Sequence, residues 1–415
     1  MRDTSSRSAR PSVVYVVTSS LAVRFLRGQL GYLREAGFDV TVISSPGQEL
    51  AKIAALEGVK TFAIQMAREI SPLRDLVSFW RLWRVLRLLR PHITNVGTPK
   101  AGLLGGLAAY FAGVPCRVYT LHGLRLETLL GFRRQMLVYS ERLASFCAHR
   151  VFCVSESLRM KAVGLGLVAS GHTAVFAHGS CNGVEAQEFV ASAGGQNSGA
   201  EFREKLGIPA NAPVVGFVGR FTQDKGISEL VEAFVSLRSR FSNLCLLLAG
   251  DFEAGDPPSE IATHTIKTDL NVYCTGFIPD AAPYYHVMDV LALPTHREGF
   301  PTVVLEAHAS GKPVVATNAT GAIDSIVEGV TGLTVPVGDS GALANALATL
   351  LENPALAKKM GQAGQRRAAC EFQPEKIWSE LLGQYQSLLE AKGLPLPVAL
   401  HANSEDMRSA EIGYV

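Results

Sequence analysis

The run Thr295-His-Arg-Glu-Gly-Phe-Pro-Thr-Val-Val-Leu-Glu306 carries two carboxylates, Glu298 and Glu306, with seven residues between them. It follows the strand-like VLALP, so it leaves the carboxyl edge of a sheet, where open α/β sheets bind ligands. Pro301 favours a first helical turn, which puts Glu298 in the loop and Glu306 within the helix. The free amides in residues 299–303 would then point into a cleft beside the helix N-terminus, although Pro301 itself has no N–H to give. Such an end suits a phosphate or an anionic sugar-phosphate group. A carboxylate on either side can take paired hydroxyls, one pair on a sugar and one on a ribose. The plainer alternative is a solvated glutamate pair flanking a turn.

A second segment, Gly216-Phe-Val-Gly-Arg-Phe-Thr-Gln-Asp-Lys-Gly226, also follows a strand. Gly219 allows a close backbone turn. Arg220 and Lys225 place two cations in one loop, a fork and a point charge suited to a diphosphate. An ordinary basic turn would read the same way. The glycines do not match the dinucleotide fingerprint GxGxxG.

The elements that must hold these loops follow a βαβ rhythm. Val13–Thr18, Val40–Ser44, Ile93–Val96, Arg117–Leu121 and Val151–Val154 read as strands, with helical stretches such as Phe25–Ala36 and Gly102–Phe111 between them. The small, polar run ASAGGQNSGA at 191–200 reads as a linker or exposed loop. The rhythm restarts with Val214–Val218, Leu244–Ala249, Asn271–Thr275, Val290–Leu293 and Pro313–Thr317. The expected architecture is α/β, with two doubly wound Rossmann-like domains facing across a cleft. The expected boundaries are a flexible N-terminus at 1–11, a first domain at 12–190, a linker at 191–212, a second domain at 213–373, a helix at 374–392 that could cross back, and a disordered tail at 393–415.

Composition bounds the classes. The 415 residues are 47% hydrophobic and 18% charged, which suits buried parallel strands and not a disordered chain. Seven scattered cysteines form no CxxC pair, so neither a zinc site nor a disulfide framework is read, and a reducing cytoplasm is the expected compartment. No apolar stretch is long enough to predict a transmembrane helix, and the apolar run near the N-terminus is too short for a signal sequence. The net charge of +2 hides a split: residues 1–199 hold 23 Lys and Arg against 12 Asp and Glu, while residues 200–415 hold 16 against 25. The first half is therefore expected to face something anionic. No nucleic-acid signature is present, so a membrane surface fits better than nucleic acid. In Phe79-Trp-Arg-Leu-Trp-Arg-Val-Leu-Arg-Leu-Leu-Arg90, Arg81, Arg84 and Arg87 recur every three residues with Trp80 and Trp83 between. That pattern can dock on an anionic membrane, or it can be a helix with solvated arginines packed on a sheet.

Taken together these segments resemble the family-4 glycosyltransferases, which have the GT-B fold. The GxVGRxxxxKG loop comes first, then LLLAGD at 246–251, TGFIPD at 275–280, the paired glutamates, and ASGKPVVAT at 309–317. FLRGQLGYLREAGFDVTVIS at 25–44, TPKAGLLGGLAAYFAGVP at 98–115, YTLHG at 119–123 and VSES at 154–157 extend the likeness through the first half. It looks closest to members that extend lipid-linked sugars for capsule, exopolysaccharide or O-antigen.

The resemblance implies roles. Arg220 and Lys225 would hold the donor diphosphate, with Gly219 shaping the turn. Glu298 would meet the donor sugar and Glu306 the ribose. The amides of Gly299, Phe300 and the neighbours of Pro301, Thr302 among them, would line sugar and phosphate, and the backbone near Phe277 and Ile278 would meet the base. Gly28 would approach the phosphate at a helix N-terminus, and His122, just past a strand, would reach the sugar. Lys100 and Arg125 are weaker candidates for an acceptor phosphate. Two departures stand out: the family's Gly-Gly pair is Arg27-Gly28 here, and a later Glu is Asp324.

The implied reaction is retaining transfer of a hexosyl or N-acetylhexosaminyl group from a nucleotide diphosphate sugar, a UDP-sugar by family habit, to a polyprenyl-diphosphate-linked acceptor. No Asp-x-Asp occurs, so no metal is expected, and no cofactor, since the nucleotide sugar is a substrate. The cations and a helix N-terminus would stabilise the leaving diphosphate. The expected location is cytoplasmic, peripheral at the inner face of the membrane. The rival readings are a nucleotide-sugar epimerase of the same fold and a non-catalytic nucleotide-sugar-binding protein.

Overall fold

The structure is a computed structural model that describes residues 10–67, 71–194, 199–253 and 255–400. Two parallel sheets carry it. The first has β1 (Ser12–Val16), β2 (Asp39–Ser44), β3 (Lys60–Ala63), β4 (Ile93–Gly97), β5 (Cys116–Leu121), β6 (Arg150–Cys153) and β7 (Thr173–Ala174), in the spatial order β3-β2-β1-β4-β5-β6-β7. The second has β8 (Val214–Val218), β9 (Cys245–Ala249), β10 (Val272–Cys274), β11 (Val290–Leu293), β12 (Val314–Thr317) and β13 (Gly332–Val335), in the order β10-β9-β8-β11-β12-β13. The ten expected strands are there. β3, β7 and β13 are additional: β7 has only two residues, β3 is a half-exposed edge, and β13 contains a glycine.

Successive residues of a strand face opposite sides. Val14 and Val16 therefore join one buried cluster, and Val13, Tyr15 and Val17 another, with helices covering both. The second sheet has its own core around Val215, Phe217, Leu246, Leu291 and Val315. Phe300, Leu305, Ala309 and Phe372 pack into the first domain's cluster, so apolar packing is continuous across the domain boundary.

Several boundaries differ from the sequence expectation. The helix expected from Phe25 begins only at Gln29, because the chain turns through Gly28 at φ 78° after a short 3-10 segment, Ser20–Leu26. The helix expected to open with Pro301 begins at Thr302, with Pro301 extended just before it. The expected linker holds the end of helix Ala186–Gly194 and helix Gly199–Lys205. Phe189 and Phe202 anchor these helices on Tyr285 and Tyr284, at ring separations of 6.1 and 4.9 Å, so polar composition did not decide the segment. Helix Pro374–Glu390 returns to the first domain, where Leu381, Tyr385 and Leu389 enter its core. Residues 393–400, expected as disordered tail, lie along that domain: Leu394 packs on the same core, and the Leu400 amide donates to the Glu35 carbonyl at 3.0 Å. The expectations for 1–9 and 401–415 fall outside the described residues.

Candidate active site

In each sheet the strand order reverses at one point, between β1 and β4 and between β8 and β11. A crevice opens beyond the carboxyl ends of strands at such points. The segments singled out above leave these ends. Gly219 and Arg220 follow β8, and the loop from Pro294 to Pro301 follows β11. Gly28 comes after β1, Lys100 after β4, and His122 directly after β5.

Within the second domain the cations and carboxylates meet. The Lys225 ammonium pairs with Glu298, and both side chains are largely buried. Arg220 pairs with Glu253. The Glu298 amide donates to the Thr320 carbonyl at 2.9 Å, which fixes the loop beside helix Thr302–Ala309. Glu306, one turn into that helix, accepts a 2.6 Å hydrogen bond from the Tyr285 hydroxyl. Burial pushes its carboxyl pKa up; the Tyr285 bond opposes this, and Asp280 adds to it. Gly219 takes φ 147° and its amide donates to Ala249 at 3.0 Å. Phe277 is exposed, and the Arg24 guanidinium from the first domain lies 5.9 Å from its ring centroid. Ile278, next to it, is half-buried.

The two domains close on each other at this loop. Gly299 sits against the His122 carbonyl so closely that any Cβ would collide with it. Arg297 donates to Thr128 of the first domain at 3.3 Å, and Thr320 to Glu127 at 2.7 Å. Asp324 accepts from the Ser157 hydroxyl and amide across the same boundary, the amide at 3.2 and 3.3 Å. The shorter carboxylate noted as a departure is therefore an interdomain contact.

Residues 22–179 match the glycosyl transferase 4-like domain, and residues 199–367 the glycosyl transferases group 1. The chain is 36% identical over 379 residues to a capsular polysaccharide biosynthesis glycosyltransferase, CapM, of Staphylococcus aureus, covering 91% of this chain and 97% of the relative. It is a family-4-type glycosyltransferase. An Escherichia coli relative, UDP-Gal:alpha-D-GlcNAc-diphosphoundecaprenol alpha-1,3-galactosyltransferase, is 26% identical, over 77% of this chain and 81% of that one. In fold the transferase is similar to Anabaena HepE in complex with UDP and glucose, at TM-score 0.75 and 21% identity over 91% of this chain and all of that one. It is also similar to WaaG, a glycosyltransferase of lipopolysaccharide biosynthesis, at TM-score 0.69 and 15% identity over 89% and 98% of the two chains. These likenesses and the two parallel sheets make this a GT-B fold.

The transferase's first-domain residues divide. His122 stands at the interface with its ring stacked on Phe25, centroids 6.0 Å apart. Burial pushes its pKa down to about 4, so the imidazole is neutral near pH 7. Gly28 is differently placed from the expectation. Its amide donates to the Glu57 carboxylate, the Gly31 amide donates to the other Glu57 oxygen at 2.7 Å, and the Trp378 ring packs against Gly28. A protein carboxylate thus holds the amide of Gly28, the residue expected to approach a phosphate. Lys100 is paired with Asp75 at 2.9 Å and largely buried, so it ties two helices together and does not stand open to an acceptor. Arg125 is exposed at the start of a 3-10 turn, Arg125–Thr128. The Phe300 ring packs 5.4 Å from Phe372 in the interdomain core, which fixes the backbone whose amide is the candidate group there. Thr302, half-buried, opens the helix behind it.

Sequence reasoning missed Glu57, Glu253, Asp224, Arg297 and Arg24, whose partners lie far along the chain. In helix Pro72–Leu89, Ser78, Leu82 and Leu86 face the core, as the packing reading expects, while Leu73, Trp80 and Leu88 are exposed beside Arg81, Arg84 and Arg87. An aromatic chain runs from it through Phe79 and Phe111 to Tyr110 and Phe146, with ring centroids 5.6–6.2 Å apart. Among the described residues no helix is long and apolar enough to cross a membrane.

Proposed function

We propose that this glycosyltransferase moves a sugar, with retention and without a metal, from a UDP-sugar to a polyprenyl-diphosphate-linked saccharide in surface polysaccharide synthesis. The observation that carries the reading is the Lys225–Glu298 pair, which joins the loop of Arg220 to the loop after β11 at the second sheet's switch point, next to Gly299, whose backbone meets the His122 carbonyl across the interface. Lys225 and Arg220 supply the positive field that a departing diphosphate needs, fixed in advance by the loop after β8. Glu298 orients the sugar hydroxyls, and Glu306, held by Tyr285, takes the ribose. Neutral His122 offers a hydrogen bond to the sugar and no charge. The departing phosphate takes the acceptor's proton. Contact between the domains excludes water and limits hydrolysis. The Escherichia coli and Staphylococcus aureus relatives support a lipid-diphosphate acceptor and a capsule role, and the UDP-bound Anabaena protein supports the donor class.

The acceptor reading extends to location. The exposed aromatic and arginine face of helix Pro72–Leu89 suits the inner, anionic surface of the cytoplasmic membrane, with aromatic rings at headgroup level and cations on anionic lipid.

The test is to incubate the protein with UDP-, GDP- and ADP-sugars, chelator and a synthetic polyprenyl-diphosphate saccharide. UDP release with sugar entering lipid, lost in Glu298→Gln and Arg220→Ala, is the expected result. Transfer only to a water-soluble acceptor, or activity that survives both substitutions, refutes the reading.

A further inference from the structure

The loop that carries Glu298 is tied to the segment after β8 by three ion pairs from consecutive residues. Glu298 pairs with Lys225, Arg297 with Asp224 at 2.6 Å, and His296 with Glu229 at 2.7 Å. The backbone adds a further tie, with the His296 amide donating to the Asp224 carbonyl at 2.9 Å. The third pair involves none of the donor groups named above. Glu229 is in the first turn of helix Ile227–Leu237, and its side chain is 17% exposed. One of its oxygens is bound to His296 Nε2, and the other is buried without a hydrogen-bond partner. A buried carboxylate with half its acceptor capacity unmet depends on the charge of the group that does meet it.

We infer that His296 and Glu229 are positioning residues: the protonated imidazole, clamped on Glu229, holds the loop that aims Glu298 at the donor sugar. Neither touches the donor. They act through two peptide bonds on Glu298 and through the shared backbone contact with Asp224. The groups facing His296 come from three elements and are all acidic: Glu229 from the helix, Asp224 from the preceding turn, and Asp256 from the segment after β9. The Glu229 hydrogen bond raises the His296 pKa above its ordinary value, against the lowering effect of burial. A raised pKa means the charged brace is complete below the ordinary histidine value. It is lost as pH rises through the raised one. Donor turnover should therefore carry an alkaline limb that belongs to His296.

This inference rests on the transferase reading with Glu298 at the sugar, so its tests include one read on the free protein. In protein with isotope-labelled histidine, the His296 imidazole should titrate above the ordinary value and fall back in Glu229→Gln. Titration at the ordinary value in the unmodified protein overturns the inference, whatever the enzyme turns over. Kinetically, His296→Gln and Glu229→Gln should each lower kcat on the order of tenfold at neutral pH, inside the roughly hundredfold that a 1 Å misplacement can cost. The double variant should be no worse than either single one, since the two act as a unit. The alkaline limb should vanish in all three, while UDP affinity and donor KM stay within about twofold. A folded His296→Gln protein with unchanged kcat and pH profile, or a parallel loss of UDP binding, overturns the positioning role. If the unmodified protein turns over no donor, the transferase reading fails instead, and the titration arm still stands by itself.

Discussion

Lys225 and Glu298 are each other's counter-charge before any donor arrives, so their removal separates structural from catalytic worth. Their side chains are 19% and 14% exposed. Truncating one partner of a fully buried ion pair costs about 3–5 kcal/mol, because the other charge is left unpaired. Both side chains here keep some contact with water, so Lys225→Met or Glu298→Gln alone should cost about 1–3 kcal/mol of stability, discounted from that range. The double variant Lys225→Met/Glu298→Gln removes both charges and should regain most of the loss. Turnover should behave oppositely. Each single variant removes a group proposed to act on the donor and should lose about 10²–10³-fold in kcat, the scale of one preorganised stabilising group, and the double variant should regain none. Urea midpoints without nucleotide give the first quantity, and UDP release gives the second. If the stability losses simply add, the two charges do not compensate each other. If the double variant recovers turnover, the pair is structural and its catalytic assignment fails.

Two further outcomes follow from the same structure. The Tyr385 hydroxyl donates to Tyr15 at 2.9 Å and accepts from Asn95 at 2.7 Å, inside the first domain's core. Tyr385→Phe should therefore destabilise by about 1–3 kcal/mol through the unpaired Asn95 donor, and a wild-type denaturation curve would show that the returning helix is held by packing alone. Arg81→Glu/Arg84→Glu/Arg87→Glu should weaken sedimentation with phosphatidylglycerol vesicles by tenfold or more, at about 1 kcal/mol per cation, and leave turnover of a short-chain soluble acceptor unchanged. Equal binding to phosphatidylcholine vesicles would remove charge from the explanation.

What the sequence shows and what it hides divide along a physical line. The ten expected strands were legible because a doubly wound sheet buries both faces, so each one reads as a short apolar run such as VVGFV or VLALP. The Glu298 and Arg220 loops were legible because the chemistry of each lies within a dozen residues and follows such a run. The compensating carboxylates were not, because their spacing along the chain carries no information: Glu57 meets Gly28 from 29 residues away, Glu253 meets Arg220 from 33, and Asp324 meets Ser157 from 167. Each is a single acidic residue on an otherwise ordinary surface pattern, and only the fold says which amide or cation it faces. The helices Ala186–Gly194 and Gly199–Lys205 were hidden for a related reason. Their small, polar residues look like a linker, yet Phe189 and Phe202 find Tyr285 and Tyr284 waiting on the second domain, and local composition yields to that tertiary contact. Asp324 shows the same logic inside a recognised motif. Read as a donor-loop residue it is a shortened glutamate; placed in the fold it is the acceptor at the start of helix Glu156–Gly164, where an acidic side chain is favoured by the helix end and ties one domain to the other.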